Sequence, residues 1–123
     1  MYPNDTAAVS DGSATHVYSL IKLGDKDISS VRRESAAPAD QPATLTIKHR
    51  EVGEGLKTEA QSMYRFDRVV EDASGNQGTV SCQVTLRWPV KVITVAQAQK
   101  SLNEATAFVA VAGYKDKFTA MEP

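Results

Sequence analysis

The chain has 123 residues, 41% of them hydrophobic, enough for one domain with a modest core and too few for two comfortable ones. Fourteen Lys and Arg stand against fifteen Asp and Glu, so the average charge attracts no polyanion and any nucleic-acid partner must be met by local patterning. One cysteine, Cys82, and two histidines, His16 and His49, exclude an intrachain disulfide framework and a multi-cysteine metal site, and leave little material for zinc chemistry.

No stretch approaches the roughly 20 apolar residues that cross a bilayer. The polar start Met1-Tyr-Pro-Asn-Asp lacks the basic and then apolar regions of a secretion signal, which predicts a protein that stays in the cytoplasm. Residues 1 to 13 read either as a short edge strand or as an arm.

From Thr15 to about Val92 the apolar residues come in short alternating runs rich in Val, Ile, Thr and aromatics, separated by Gly, Asp, Pro and Ser clusters. This predicts strands over Thr15 to Leu23, a Gly24-Asp-Lys-Asp turn with Asp25 and Asp27 as turn residues, and strands over Ile28 to Glu34 and Ala43 to Glu51. A turn at Gly53-Glu-Gly, a long strand from about Thr58 to Glu71, the loop Ala73-Ser-Gly-Asn-Gln-Gly and a strand from Thr79 to about Val92 complete the run. Short connections make consecutive strands antiparallel neighbours, so the sheet is a meander.

After Thr94 the period becomes helical: Val95, Ala98, Leu102, Ala105, Val109 and Ala112 recur at spacings of three and four. Thr94 suits an N-cap, Gln97 completes a capping box, and Gly113 suits a left-handed cap, which predicts a helix over roughly 94 to 112. Tyr114, Phe118 and Met121 lie on one side of a short second helix. The fold class is therefore α+β, one domain over residues 1–123 with a sheet at about 15–92 and helices at about 94–121.

Alternation sorts the side chains by face. Thr44, Thr46, Lys48 and Arg50 point one way and Leu45, Ile47, His49 and Glu51 the other. The next strand splits into Gln61, Met63, Arg65, Asp67 against Ser62, Tyr64, Phe66, Arg68, and the last into Ser81, Gln83, Thr85, Arg87 against Cys82, Val84, Leu86, Trp88. The polar sets collect Lys48, Arg50, Arg65 and Arg87 against the single acid Asp67, so a nearly neutral chain presents a basic sheet face. On this pattern alone an ordinary solvated surface accounts for that face. Cys82 reads as a small buried side chain, being in phase with Val84, Leu86 and Trp88.

One helix and a short second one offer limited cover for five or more strands, and the helix carries Phe108 and Val111 outside a narrow stripe. A second copy laying its helices across the first copy's sheet relieves both problems, which predicts an obligate, intertwined homodimer. Its interface set is Trp88, Leu102, Ala105, Phe108 and Val109.

The chain resembles the coat proteins of single-stranded RNA bacteriophages (levivirus-like). The residues that carry the resemblance are an N-terminal hairpin, Thr44-Leu-Thr-Ile-Lys-His-Arg-Glu, a turn, Ser62-Met-Tyr-Arg-Phe-Asp-Arg-Val, a loop, Val84-Thr-Leu-Arg-Trp-Pro and the terminal helices. The family has no short invariant motif, so the likeness rests on strand order, length and face chemistry over most of the chain.

The resemblance implies dimers whose helices interlock over the partner's sheet, assembly into an icosahedral shell in the bacterial host cytoplasm, and a virion location. It also implies genomic RNA on the inner sheet face and, in several members, one hairpin at the replicase start whose binding represses translation. Carried over by position, the RNA-facing residues are Thr44, Thr46, Lys48, Arg50, Gln61, Met63, Arg65, Ser81, Gln83 and Thr85, with Arg87 as a further phosphate contact. Ser81 stands where some relatives place a stacking aromatic, and Met63 where a small hydroxyl residue lines a base pocket; both departures favour general packaging over a hairpin-specific role. Ser74, Gly75, Asn76, Gln77 and Gly78 correspond to the hairpin tip that meets other subunits, where glycine gives the backbone freedom for quasi-equivalent contacts.

With the resemblance, RNA contact is the favoured reading of the basic face. His16 and His49 read as structural, since neither stands in a nucleophile motif. No phosphate-binding glycine loop, metal cluster or nucleophile elbow points to an enzyme, and no cofactor, membrane or small-molecule substrate is expected. The alternative is a cellular dimeric β-sheet module that binds nucleic acid or protein without forming a shell.

Overall fold

The computed structural model describes residues 6–23 and 29–123. The expected turn at Gly24-Asp-Lys-Asp, the strand start at Ile28 and the first five residues lie outside the described residues. Six strands follow one another in space as in sequence: β1 (Thr6–Ser10), β2 (Thr15–Leu23), β3 (Ser29–Glu34), β4 (Ala43–Val52), β5 (Glu59–Glu71) and β6 (Gln77–Pro89). They form one antiparallel meander, and the helices α1 (Val95–Val109) and α2 (Tyr114–Thr119) come after it. Residues 6 to 10 of the open N-terminal segment form the edge strand β1, with Val9 opposite His16.

By contacts the chain divides into two compact units. The first comprises the residues up to Glu51 together with Gln61–Thr85. Its core is Tyr18, Ala43, Leu45 and Ile47, with Val9, Ala37 and Phe66 packed against it. Strict alternation in β4 makes this possible, because Ala43, Leu45 and Ile47 are buried while Thr44, Thr46 and Lys48 between them are only half-buried. Tyr18 and Phe66 meet edge to face, with ring centroids 5.9 Å apart.

β3 departs from the apolar rule. Its inward residues are Ser30, Arg32 and Glu34, all buried. Such groups are tolerable only when bonded: Arg32 donates to Ser30 Oγ at 2.7 Å, and Glu34 accepts from Arg68 Nη2 at 2.7 Å.

Cys82 corrects the sequence expectation. It is exposed, along with the rest of β6 from Gln77 to Thr85. The physical reason is position, since β6 is the last strand of the sheet and alternation there decides which face a residue takes without supplying a cover for it.

The second unit comprises Val52–Ala60 and Leu86–Pro123. Gly53 (φ +92°) opens a turn into a short 3-10 segment, Gly55–Lys57, and a Cβ on Gly53 would lie 2.5 Å from the Lys57 carbonyl oxygen. Thr94 caps α1 through the expected box: its hydroxyl accepts from the Gln97 N–H, and the Gln97 side chain accepts from the Thr94 N–H. The helix stops at Val109, short of the expected 112. β-branched Val109 and Val111 and left-handed Gly113 (φ +83°) break the ladder, and the chain tightens through the Val111-to-Phe108 and Tyr114-to-Val111 bonds.

Candidate nucleic-acid interface

Register fixes the composition of the face opposite the first unit's core. Ser29 lies opposite Lys48, Val31 opposite Thr46 and Arg33 opposite Thr44. Directly opposed residues share a face. Arg50 Nε donates to Gln61 Oε1 at 2.7 Å, which places the β5 set Gln61, Met63 and Arg65 with the β4 set. Ser81 Oγ donates to Asp67 Oδ1, joining β6 to the same face, and Gln83 Nε2 donates to Thr85 Oγ1 at 2.7 Å. Thus Thr44, Thr46, Lys48, Arg50, Gln61, Met63, Arg65, Ser81, Gln83 and Thr85 all belong to one surface of the first unit. Arg87 lies in the second unit.

The charge on this surface is distributed differently from the sequence tally. Arg65 is paired with Asp67 at 3.0 Å, and Asp67 is held below the usual carboxylate range by the Ser81 hydroxyl and by Arg65, against the opposing effect of burial. In the second unit Arg87 lies 3.7 Å from Glu59, an acid the alternation count had not included. Arg33 is the residue that sequence reasoning missed; its guanidinium donates to the Pro38 carbonyl at 3.0 Å and shares the face of Thr44. The only signal for it is the β3 to β4 register, which a single sequence does not display.

The opposite face carries a polar cluster at the N-terminal hairpin. His16 Nε2 lies 2.7 Å from Asp11 Oδ2 and Nδ1 2.6 Å from Glu34 Oε1. Both partners raise the pKa of His16, Asp11 more than Glu34. Asp11 also accepts from the Ser13 and Ala14 N–H groups; bonds from Ala14, His16 and Ser13 hold it far below the ordinary aspartate value. Burial pushes Glu34 up, but hydrogen bonds from His16 and Arg68 outweigh it and leave its pKa lowered. Ionised carboxylates can only accept, so the two contacts are both satisfied when each ring nitrogen carries a proton, which favours the imidazolium form of His16. A cavity of about 250 Å³ beside it is lined mainly by Val9, Tyr18, Phe66 and Arg68. His49 Nδ1 lies 2.9 Å from Ser62 Oγ, a cross-strand contact.

No family model matches the chain, and no curated protein sequence matches it. Solved structures do. The virus-like particle of Beihai levi-like virus 21 superposes with a TM-score of 0.71 at 12% identity, covering 98% of this chain and 98% of that one. The bacteriophage EMS014 coat protein gives 0.69 at 22% identity over 90% of this chain and 79% of that one, and the virus-like particle of bacteriophage AVE019 gives 0.67 at 13% over 97% and 95%. The chain has the levi-like phage coat-protein fold.

Within this coat-protein fold the expected inter-subunit loop is a tight hairpin tip. Ser74, Gly75 and Asn76 form it, while Gln77 and Gly78 already belong to β6. Asp72 organises the tip by accepting from the Ser74 and Asn76 N–H groups and from Asn76 Nδ2, which lowers its pKa, Asn76 contributing most. Of the residues expected at a dimer interface, Trp88 and Leu102 are half-buried and Ala105, Phe108 and Val109 are exposed, all in the second unit. Phe108 packs on Tyr114 at a centroid distance of 4.8 Å and still keeps 65% of its surface in solvent.

Proposed function

We propose that the chain is the capsid protein of a single-stranded RNA phage, acting without catalysis: residues 1–123 serve as one coat-protein domain, pair as an intertwined homodimer, and assemble into an icosahedral shell in the host cytoplasm. The observation that carries the reading is the near-complete superposition of the six-strand meander and two helices on coat-protein and virus-like-particle structures. Dimer formation is supported by the apolar surface of the second unit, where Val95, Phe108, Val109, Phe118 and Met121 are all exposed in a single chain. Burial of such surface drives stable association, and weaker polar contacts between dimers let particles correct errors during growth.

Genomic RNA lies on the Thr44, Thr46 and Lys48 face in this reading. Lys48, Arg50, Arg65 and Arg87 meet phosphates, with Arg65 and Arg87 attenuated by Asp67 and Glu59, while Thr, Gln and Ser side chains reach unpaired bases. Packaging is the principal role. Repression through a replicase hairpin would use the same face.

Expression of the chain alone, followed by size-exclusion chromatography and electron microscopy, tests the proposal. Megadalton shells containing nuclease-protected RNA are expected; a persistent small dimer would replace the coat reading with a cellular binding module. Lys48→Glu should leave the dimer intact and reduce the RNA recovered per particle, read from the 260/280 nm absorbance ratio.

A further inference from the structure

β2 does not run in simple phase with β3. Tyr18 lies opposite Glu34, Ser19 opposite Arg33 and Leu20 opposite Arg32, but the next pair is Lys22 with Val31. Ile21 is the extra residue of a β-bulge. Plain alternation would put Lys22 on the side of Tyr18 and Leu20, which is the side that buries Leu45 and Ile47. The inserted residue reverses the phase. Lys22 then shares a face with Val31, and Val31 lies opposite Thr46, flanked by Arg33 opposite Thr44 and Ser29 opposite Lys48.

The bulge costs the strand local order, since it leaves one residue out of the ladder and keeps Ile21 60% exposed. What it achieves is to move an ammonium from the face that buries the core to the face that carries Lys48 and Arg50. Lys22 is exposed and has no hydrogen-bond or ion-pair partner among the described residues. A compact charge on a flexible stem suits a phosphate group regardless of base sequence.

We propose that Lys22 is a further phosphate-binding residue, turned onto the RNA face by the bulge at Ile21, so that the cationic surface runs from β4 across Arg33 of β3 to β2. The inference rests on the RNA reading of that face given above. At about 4.8 Å between strands, Lys22 stands about 10 Å across the sheet from Thr46, so an RNA strand crossing β4, β3 and β2 would meet both.

The test measures binding of a mixed-sequence single-stranded RNA oligonucleotide to the full-length, unassembled protein over a salt series. Each phosphate contact to single-stranded nucleic acid contributes about 0.7 to the slope of log affinity against log salt. Lys22→Gln and Lys48→Gln should each lower the slope by about that amount, and Lys22→Arg should keep the wild-type slope. A Lys22→Gln slope equal to wild type, with Lys48→Gln reduced, overturns the role of Lys22 and leaves the RNA face standing. A flat wild-type slope removes the RNA reading and this inference together.

Discussion

The two compact units bury their apolar side chains to very different degrees. In the first, Tyr18, Leu45 and Ile47 retain only 5% of their surface, and the buried Glu34 beside them accepts from Arg68. In the second, Ala60 and Ala98 are the only buried residues among those described, and aromatic and aliphatic side chains along α1 and α2 face solvent. A helix in a finished monomer hides its apolar stripe. The core of Tyr18, Leu45 and Ile47 closes within one chain, whereas the exposed helical surface is the one the proposed homodimer would cover with a second copy.

Two substitutions would separate these roles most sharply. Leu45→Ala should destabilise the sheet unit by about 2–5 kcal/mol, read by chemical denaturation, whatever the state of assembly. Phe108→Asp should leave the circular dichroism of the sheet in place and abolish dimers in light scattering, at a cost of about 2–4 kcal/mol in association. A fully assembled Phe108→Asp protein would show that the exposed helical surface is not where copies meet.

A milder probe acts on the hairpin alone. His16 titrates above its ordinary value in the folded chain, so its contribution is complete below about pH 6.5 and is lost as pH rises through the elevated folded value. Asp11 and Glu34 titrate below theirs, so their contributions are present above about pH 4.5 and fade as pH falls. β1 amides should therefore exchange most slowly, relative to intrinsic rates, between about pH 4.5 and 6.5. His16→Asn should flatten the alkaline side of that profile. Smallest of all, Thr94→Ala removes the capping box and should cost about 1 kcal/mol, visible as faster exchange in the first turn of α1.

The strands and the N-terminus of α1 were legible because their signals are local. Alternation placed Thr15–Leu23 at its observed bounds, and Thr94 with Gln97 announced the cap. The candidate site was legible in outline only. The pairing of Arg65 with Asp67 and of Arg87 with Glu59 depends on which side chains meet in space, and the bulge at Ile21 depends on how β2 and β3 align. Cys82 was misplaced for a related reason, as phase along a strand does not report whether the strand is interior or terminal. The polar inward face of β3 escaped because the bonds that make it tolerable include one from a distant strand, Arg68 to Glu34, beside the local one from Arg32 to Ser30.

The turn between β4 and β5 sets a boundary on sequence drift. Gly53 combines a backbone angle unfavourable to L-amino acids with a carbonyl oxygen seated where any β-carbon would go. Asparagine, which tolerates the angle, collides; alanine, which is small, meets both obstacles. Saturation mutagenesis scored by the yield of folded protein should return glycine alone at this position.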